Sequence, residues 1–161
     1  MSLPKDQLLD IESLKQQVGV KREAQQWIQI TQDMINAFAD VTRDHQFIHV
    51  DPVRARETPF GSTVAHGYMT LSLLPPLLEP IILGPENPLM QMNYGINKAR
   101  FPSPVKVDSR IRASATLKSI SFSAQNRLLL AWEVAVDIEG QEKPALVAEV
   151  LFMWQVKSVG E

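Results

Sequence analysis

The chain has 161 residues, 45% of them hydrophobic and 21% charged, with a net charge of −2 at neutral pH. That length buries a core without staples, and the near-balanced charge gives no footing for a nucleic-acid or anionic-membrane partner. The absence of cysteine removes disulfides, thiolate nucleophiles and zinc–thiolate sites together.

The opening "MSLPKDQLLDIESLK" mixes acids with its leucines, so no signal peptide is expected and the cytoplasm is the expected compartment. Leu8, Ile11, Leu14 and Val18 recur at helical spacing with Gly19 as a stop, which predicts one amphipathic helix over residues 5–18, in an N-terminal helical extension of residues 1–24. "QQWIQI" reads as a short strand. Thr31 then caps a helix that carries Asp33 in its first turn, buries a stripe of Met34, Phe38 and Val41, and ends near Thr42.

"PVRARETPFG" predicts a helical turn and a loop, closed by Pro59 and Gly61. "AHGYMTLSLLPPLL" is apolar on nearly every side, so it predicts a helix covered all round, kinked or ended after about Leu74 by Pro75 and Pro76. The apolar run "LSLLPPLLEPIILG" is broken by prolines and Glu79 and does not read as a membrane span. From there the pattern turns to β. "YGINKARF", "SRIRASATLKSISFS", "RLLLAWEVAVDI" and "ALVAEVLFMWQVK" predict an antiparallel meander, turning at Pro102–Pro104, around Gln125–Asn126 and at Gly140. The last strand is apolar on both faces. One α+β domain over residues 1–161, with a helix hidden by a curved antiparallel sheet, is the simplest packing of these parts.

The chemistry gathers in "DHQFIHVDP", residues 44–52, which holds two of the three histidines; His66 follows shortly after. Asp44 and His49 lie on different faces of a regular helix, but a turn followed by extended chain brings them to one point. There a carboxylate and an imidazole can hold a water and deprotonate it near neutral pH. The plainer reading is that Asp44 caps a turn, His49 is a satisfied loop histidine and Asp51 starts the next helical turn. A metal held by His45, His49, Asp51 and His66 is a further alternative, but the spacing fits no zinc pattern. Ser62 lacks the strand-turn-helix context of a hydrolase nucleophile. His66 and Gly67 stand at the entrance of the buried helix, where free amides face outward, and Gly67 lets a carbonyl oxygen approach its N–H; local packing is the plainer role for both.

Taken together, "ADVTRDHQFIHVDPVRARETPFGSTVAHGYMTLSLLPPLL" resembles the MaoC-like dehydratases, the hot-dog-fold family that includes (R)-specific enoyl-CoA hydratases. The family motif G-D-x-N-P-aliphatic-H-x-D-P is matched by Asp44, Ile48, His49, Asp51 and Pro52. Its second part is matched by Phe60, Val64, Ala65, His66 and Gly67. "NYGINKARFPSPVKVDSRIRASATL" resembles the strands that follow, and the likeness spans roughly residues 25–156. Arg43 replaces the motif glycine and Gln46-Phe47 replaces Asn-Pro, which is similar to the nodulation-protein-N-like branch.

The resemblance implies a hot-dog fold, a long central helix wrapped by the sheet. It also implies reversible hydration of a trans-2-enoyl-CoA to the (3R)-3-hydroxyacyl-CoA. Asp44 and His49 would be the catalytic dyad, and Gly67 the oxyanion donor with His66 beside it. Asn97 is a candidate polar contact in place of a helix serine that this chain lacks. No metal and no cofactor beyond the coenzyme A of the substrate is implied; the partners implied are an acyl-CoA thioester and a second copy in a homodimer. An acyl-CoA thioesterase on the same fold, or a non-catalytic acyl-CoA-binding subunit, are the alternatives.

Overall fold

The computed structural model describes residues 3–123 and 126–157. The N-terminal segment departs from the single expected helix. A 3-10 turn at Lys5–Gln7 leads into β1 (Leu8–Leu9), and the helix α1 begins only at Ile11 and runs to Gln16. Asp10 is the reason. Its carboxylate accepts the Ser13 amide at 2.8 Å, a cap that starts a new helix and frees Leu8 and Leu9 to pair with Gly84–Pro85, strand β4. Gly19 ends the segment at φ +84°, as its position suggested.

Next come β2 (Lys21–Glu23), β3 (Ile28–Gln29) and α2 (Gln32–Thr42). Thr31 caps α2, its hydroxyl accepting the Met34 amide at 3.3 Å. The buried face of α2 is not the expected one. Ile35 and Ala39 are fully buried, Met34 and Phe38 are half-covered, and Val41 is 84% exposed. Two stripes at helical spacing compete along this segment, and packing selects the one with the smaller side chain.

Two one-turn helices follow, α3 (Phe47–Val50) and α4 (Pro52–Ala55), and then the central helix in two pieces, α5 (Gly67–Ser72) and α6 (Leu74–Leu78). The break at Leu73 directly precedes the proline pair, which cannot donate back into the preceding turn. Met69, Leu74, Leu77 and Leu78 are buried in the core, whereas Tyr68 is 71% exposed and Ser72 faces outward. One face of this helix therefore stays open in the single chain, against the expectation of cover all round.

Four long strands follow, β5 (Pro88–Arg100), β6 (Arg110–Ser123), β7 (Arg127–Ile138) and β8 (Leu146–Val156); β7 and β8 carry much of the expected alternation, whereas β5 buries no residue fully. Along β7, Leu128, Leu130, Trp132, Val134, Val136 and Ile138 face the core. The topology corrects the meander. The order is β2-β6-β7-β8-β5, so β5 lies at the far edge against β8, and β3 pairs with β6 beside β2. The segment 101–109 is a crossing rather than a hairpin. Its amides and carbonyls bond to residues 63–65 (Ala65 amide to Val105 carbonyl, 2.7 Å; Val107 amide to Thr63 carbonyl, 3.0 Å) and, at Asp108 and Ser109, to Ile30 just beyond β3, rather than to β5. Register shifts along β5 and within β6 bend the sheet round α5 and α6, giving the α+β hot-dog arrangement. Of the turns expected after β6 and β7, Gln125 lies outside the described residues, Asn126 has φ +57° and Gly140 has φ +75°.

Gly84 lies flat beneath the Trp154 ring, and a Cβ there would meet ring carbons at 2.7 and 2.8 Å. The indole is buried and cannot swing aside. Gly84→Ala is therefore expected to destabilise the fold by about 1–3 kcal/mol, the range for overpacking a filled core. It should be read as a lower urea midpoint at unchanged denaturant slope.

Candidate active site

The geometry of the site starts at the end of α2. Arg43 occupies the left-handed region at φ +61°, ψ +22°, the conformation that usually ends a helix on glycine. This turns the chain sharply through Asp44, His45 and Gln46, all exposed, and feeds it into the single turn α3, which points His49 inward. Asp51 closes α3 and starts α4, its carboxylate accepting the Val53 and Arg54 amides at 3.1 Å each. That is the capping role of the plainer sequence reading, and Pro52 at the first helical position suits it.

His49 is only 7% exposed and is held from several sides. Its Nδ1–H donates to the Val64 carbonyl at 2.6 Å. Because a carbonyl only accepts, the proton sits on Nδ1 and the lone pair on Nε2 is left for chemistry. The His49 backbone carbonyl accepts from the Gln32 amide group at 2.8 Å, and the Thr63 hydroxyl donates to the same Gln32 side chain at 2.6 Å. The Val64 amide donates back to the Ile48 carbonyl at 3.0 Å. Burial pushes the His49 imidazole below its ordinary 6.5. The Val64 hydrogen bond works the other way, His66 adds to the depression and Asp44 opposes it.

His66 is 4% exposed and stacks on His49, ring centroids 3.7 Å apart at 25°. Its Nε2–H donates to the backbone carbonyl of Asp44 at 2.9 Å. Nδ1 of His66 is buried without a partner among the described residues. Asp44, His49 and His66 each present a side-chain nitrogen or oxygen atom, and these all lie within 4.8 Å of one another. A water making two hydrogen bonds of about 2.8 Å at its tetrahedral angle spans about 4.6 Å, so the group has the dimensions to hold one.

The same three residues could be taken for a metal centre. The stacking argues against it, since an ion must lie in the plane of each imidazole about 2 Å from its nitrogen, and nearly parallel rings 3.7 Å apart do not converge on such a point.

Gly67 opens α5, so its N–H has no acceptor within the helix. The Phe101 ring lies against it. A Cβ on residue 67 would stand 3.1–3.3 Å from Phe101 ring atoms. His49 and Gly67 line one cleft of about 280 Å³, whose apolar walls include Ile48, Val64, Phe101 and Val105. An imidazole and the opening amide of a helix on one apolar cleft, with the Asp44 carboxylate within 4.8 Å of the histidine pair, suit proton transfer next to a carbonyl whose oxygen gains charge.

Other sequence candidates lie elsewhere. His45 pairs with Asp40 at 2.9 Å on the surface, and with Asp51 engaged as a cap the alternative of a four-residue metal set is not assembled. Ser62 donates to the Thr63 carbonyl at 3.1 Å. Asn97 is on β5 and donates to Glu149 at 2.6 Å, in a group completed by Lys118. It is engaged there rather than in the cleft. Gln32 and Thr63, which fix His49, were not singled out from the sequence. Their one signal is that both are polar residues flanking motif elements, and that is too common to act on.

The sequence matches the family described as MaoC like domain over residues 13–130. It is 46% identical over 131 residues to 3-hydroxyacyl-thioester dehydratase Z of Mycobacterium tuberculosis, covering 81% of this chain and 86% of that protein. Nodulation protein N of Rhizobium meliloti is 44% identical over 142 residues, covering 88% and 86%. In fold, the unliganded R-hydratase PhaJ1 from Pseudomonas aeruginosa superposes with a TM-score of 0.66 at 23% identity, covering 89% and 88%. On the family match and on identities of this size over most of both chains, the chain belongs to the MaoC-like dehydratase family.

Proposed function

We propose that the protein catalyses the reversible (R)-specific hydration of a trans-2-enoyl thioester of coenzyme A to the (3R)-3-hydroxyacyl thioester. The observation that carries this reading is the gathering of Asp44 and His49 beside the cleft that the Gly67 amide opens onto. A relative 46% identical named as a 3-hydroxyacyl-thioester dehydratase supports the substrate class.

In this reading Asp44 and the free Nε2 of His49 hold a water and take its proton as the oxygen adds to the β-carbon. The thioester carbonyl points at the Gly67 N–H, which stabilises the enolate-like oxygen as charge builds on it. The dyad then returns a proton to the α-carbon. Atoms and electrons balance with water as the only co-reactant, so no redox cofactor is called for, and the dyad and the Gly67 amide fill the roles of base, acid and oxyanion donor.

Asp44→Asn and His49→Ala are each expected to lower kcat about 10²–10⁴-fold, the range for a group that transfers a proton in the transition state, with the fold retained by circular dichroism. Loss of the conjugated enoyl absorbance without release of free thiol is the expected signal. Thiol release would instead identify a thioesterase.

Since burial depresses the His49 pKa, the neutral base persists as pH falls. The acid limb of kcat/KM should have its midpoint below 6.5, and any stability linked to His49 should be full above 6.5 and decline as pH drops through that limb. A midpoint above 6.5 contradicts this environment for the base.

We further propose a homodimer. The edge strand β5 exposes Leu89, Met90, Tyr94 and Ile96, and the open face of α5 exposes Tyr68. An uncovered apolar edge of this kind invites pairing with another strand, and a twofold axis there would extend the sheet across two copies. Sedimentation is expected to give a dimer, and Tyr94→Lys combined with Ile96→Lys is expected to give a monomer.

A further inference from the structure

We infer that His66 is a positioning residue that fastens the two members of the dyad to one another, holding the Asp44 backbone with one ring nitrogen and the His49 ring on its face. The inference rests on the proposed function and goes beyond it, since it concerns a ring whose donor nitrogen is spent on the chain rather than on the reacting groups.

Three observations lead there. The Nε2 of His66 is already committed to the Asp44 carbonyl at 2.9 Å, so that nitrogen carries the proton and is not free to bind a substrate oxygen. The ring is 4% exposed and sandwiched, with His49 stacked at 3.7 Å and the Phe38 ring at 5.1 Å. The ring does not line the cleft that His49 and Gly67 share. Finally, Nδ1 is buried with no hydrogen-bond partner among the described residues. A purely packing role would be served better by phenylalanine, which fills the same space without stranding a polar atom. The histidine is explained by what its other nitrogen does.

That bond has a mechanical consequence. Asp44 stands on exposed, irregular chain just beyond the left-handed turn at Arg43, and among the described residues its carboxylate is met only by the Gln46 amide at 3.4 Å. His49 stands on a separate turn, anchored to Val64. His66 is bonded to the first and stacked on the second, so it sets the distance between them. Displacement of a reacting group by about 1 Å costs on the order of 10²-fold in rate, and outer partners of functional groups typically contribute about 10–100-fold.

The test uses the full chain with two variants of opposite character. His66→Phe keeps a stacking ring and loses the donor; His66→Gln loses the ring and keeps an amide N–H at the reach of Nε2. His66→Phe is expected to lower kcat about 10–100-fold with KM within about twofold of the parent, the pattern of an interaction realised in the transition state. The melting temperature should be unchanged, and His66→Gln should recover part of the rate. Wild-type kcat in His66→Phe, or equal losses in the two variants, would overturn the inference.

Asp44→Asn and His49→Ala, assayed alongside, report on the dyad itself. Their retaining full rate would sink the proposed function rather than the His66 bond. Histidine-selective ¹⁵N NMR at pH 7 is independent of turnover, and with three histidines in the chain the assignment is direct. The proton is expected on Nε2 of His66 and on Nδ1 of His49; a His66 proton on Nδ1 overturns the inference whatever the assay gives.

Discussion

The 2.6 Å hydrogen bond from His49 to the Val64 carbonyl is the constraint on which the site depends. It decides which ring nitrogen is basic, and it ties the turn that carries His49 to the extended segment leading into the central helix. On the other side of that segment, Ala65 and Val107 exchange backbone bonds across to 105 and 63. One short stretch, 63–65, thus bridges the site on one edge and the chain crossing on the other. The apolar surroundings strengthen these bonds and also depress the imidazole, so a single cause, removal from water, fixes the tautomer of His49 and lowers its pKa.

The division of labour among the polar residues follows from where each sits relative to that stretch. Gln32, at the start of α2, holds the His49 backbone and the Thr63 hydroxyl with one amide group. Asp51 is spent on capping α4, and His45 on a surface pair with Asp40. Residues adjacent in sequence to the dyad are therefore structural, while one 17 positions upstream of His49 supports it.

Much of this was legible in the residues themselves. Most strands announced themselves by alternation, the break after the first turns of the central helix by Pro75 and Pro76, and the family by its motif. What escaped depends on tertiary choice. Nothing local distinguishes the Ile35–Ala39 stripe of α2 from the Met34–Phe38–Val41 one, because both have helical period and only the packed partner selects. Chain order suggested that β5 pairs with β6, whereas the crossing finds its hydrogen bonds at 63–65 and delivers β5 to the opposite edge. The convergence of Asp44 and His49 needs a left-handed residue at 43, and an arginine there gives no sign of it. Asn97 was assigned from its place in the order of strands, and the side chain turned out to serve Glu149.

The crossing through Val105 has a consequence for how the protein becomes competent. Residues 63–65 and 105–107 are some forty positions apart, so their pairing closes a long loop, at an entropic cost that other long-range contacts of the domain must offset. The carbonyl that fixes the base is part of that same pairing. Partially assembled chains, in which the helical segments have formed but the crossing has not docked, would carry the dyad residues without a defined tautomer. The tautomer of His49 is thereby coupled to closure of a loop that spans a quarter of the chain.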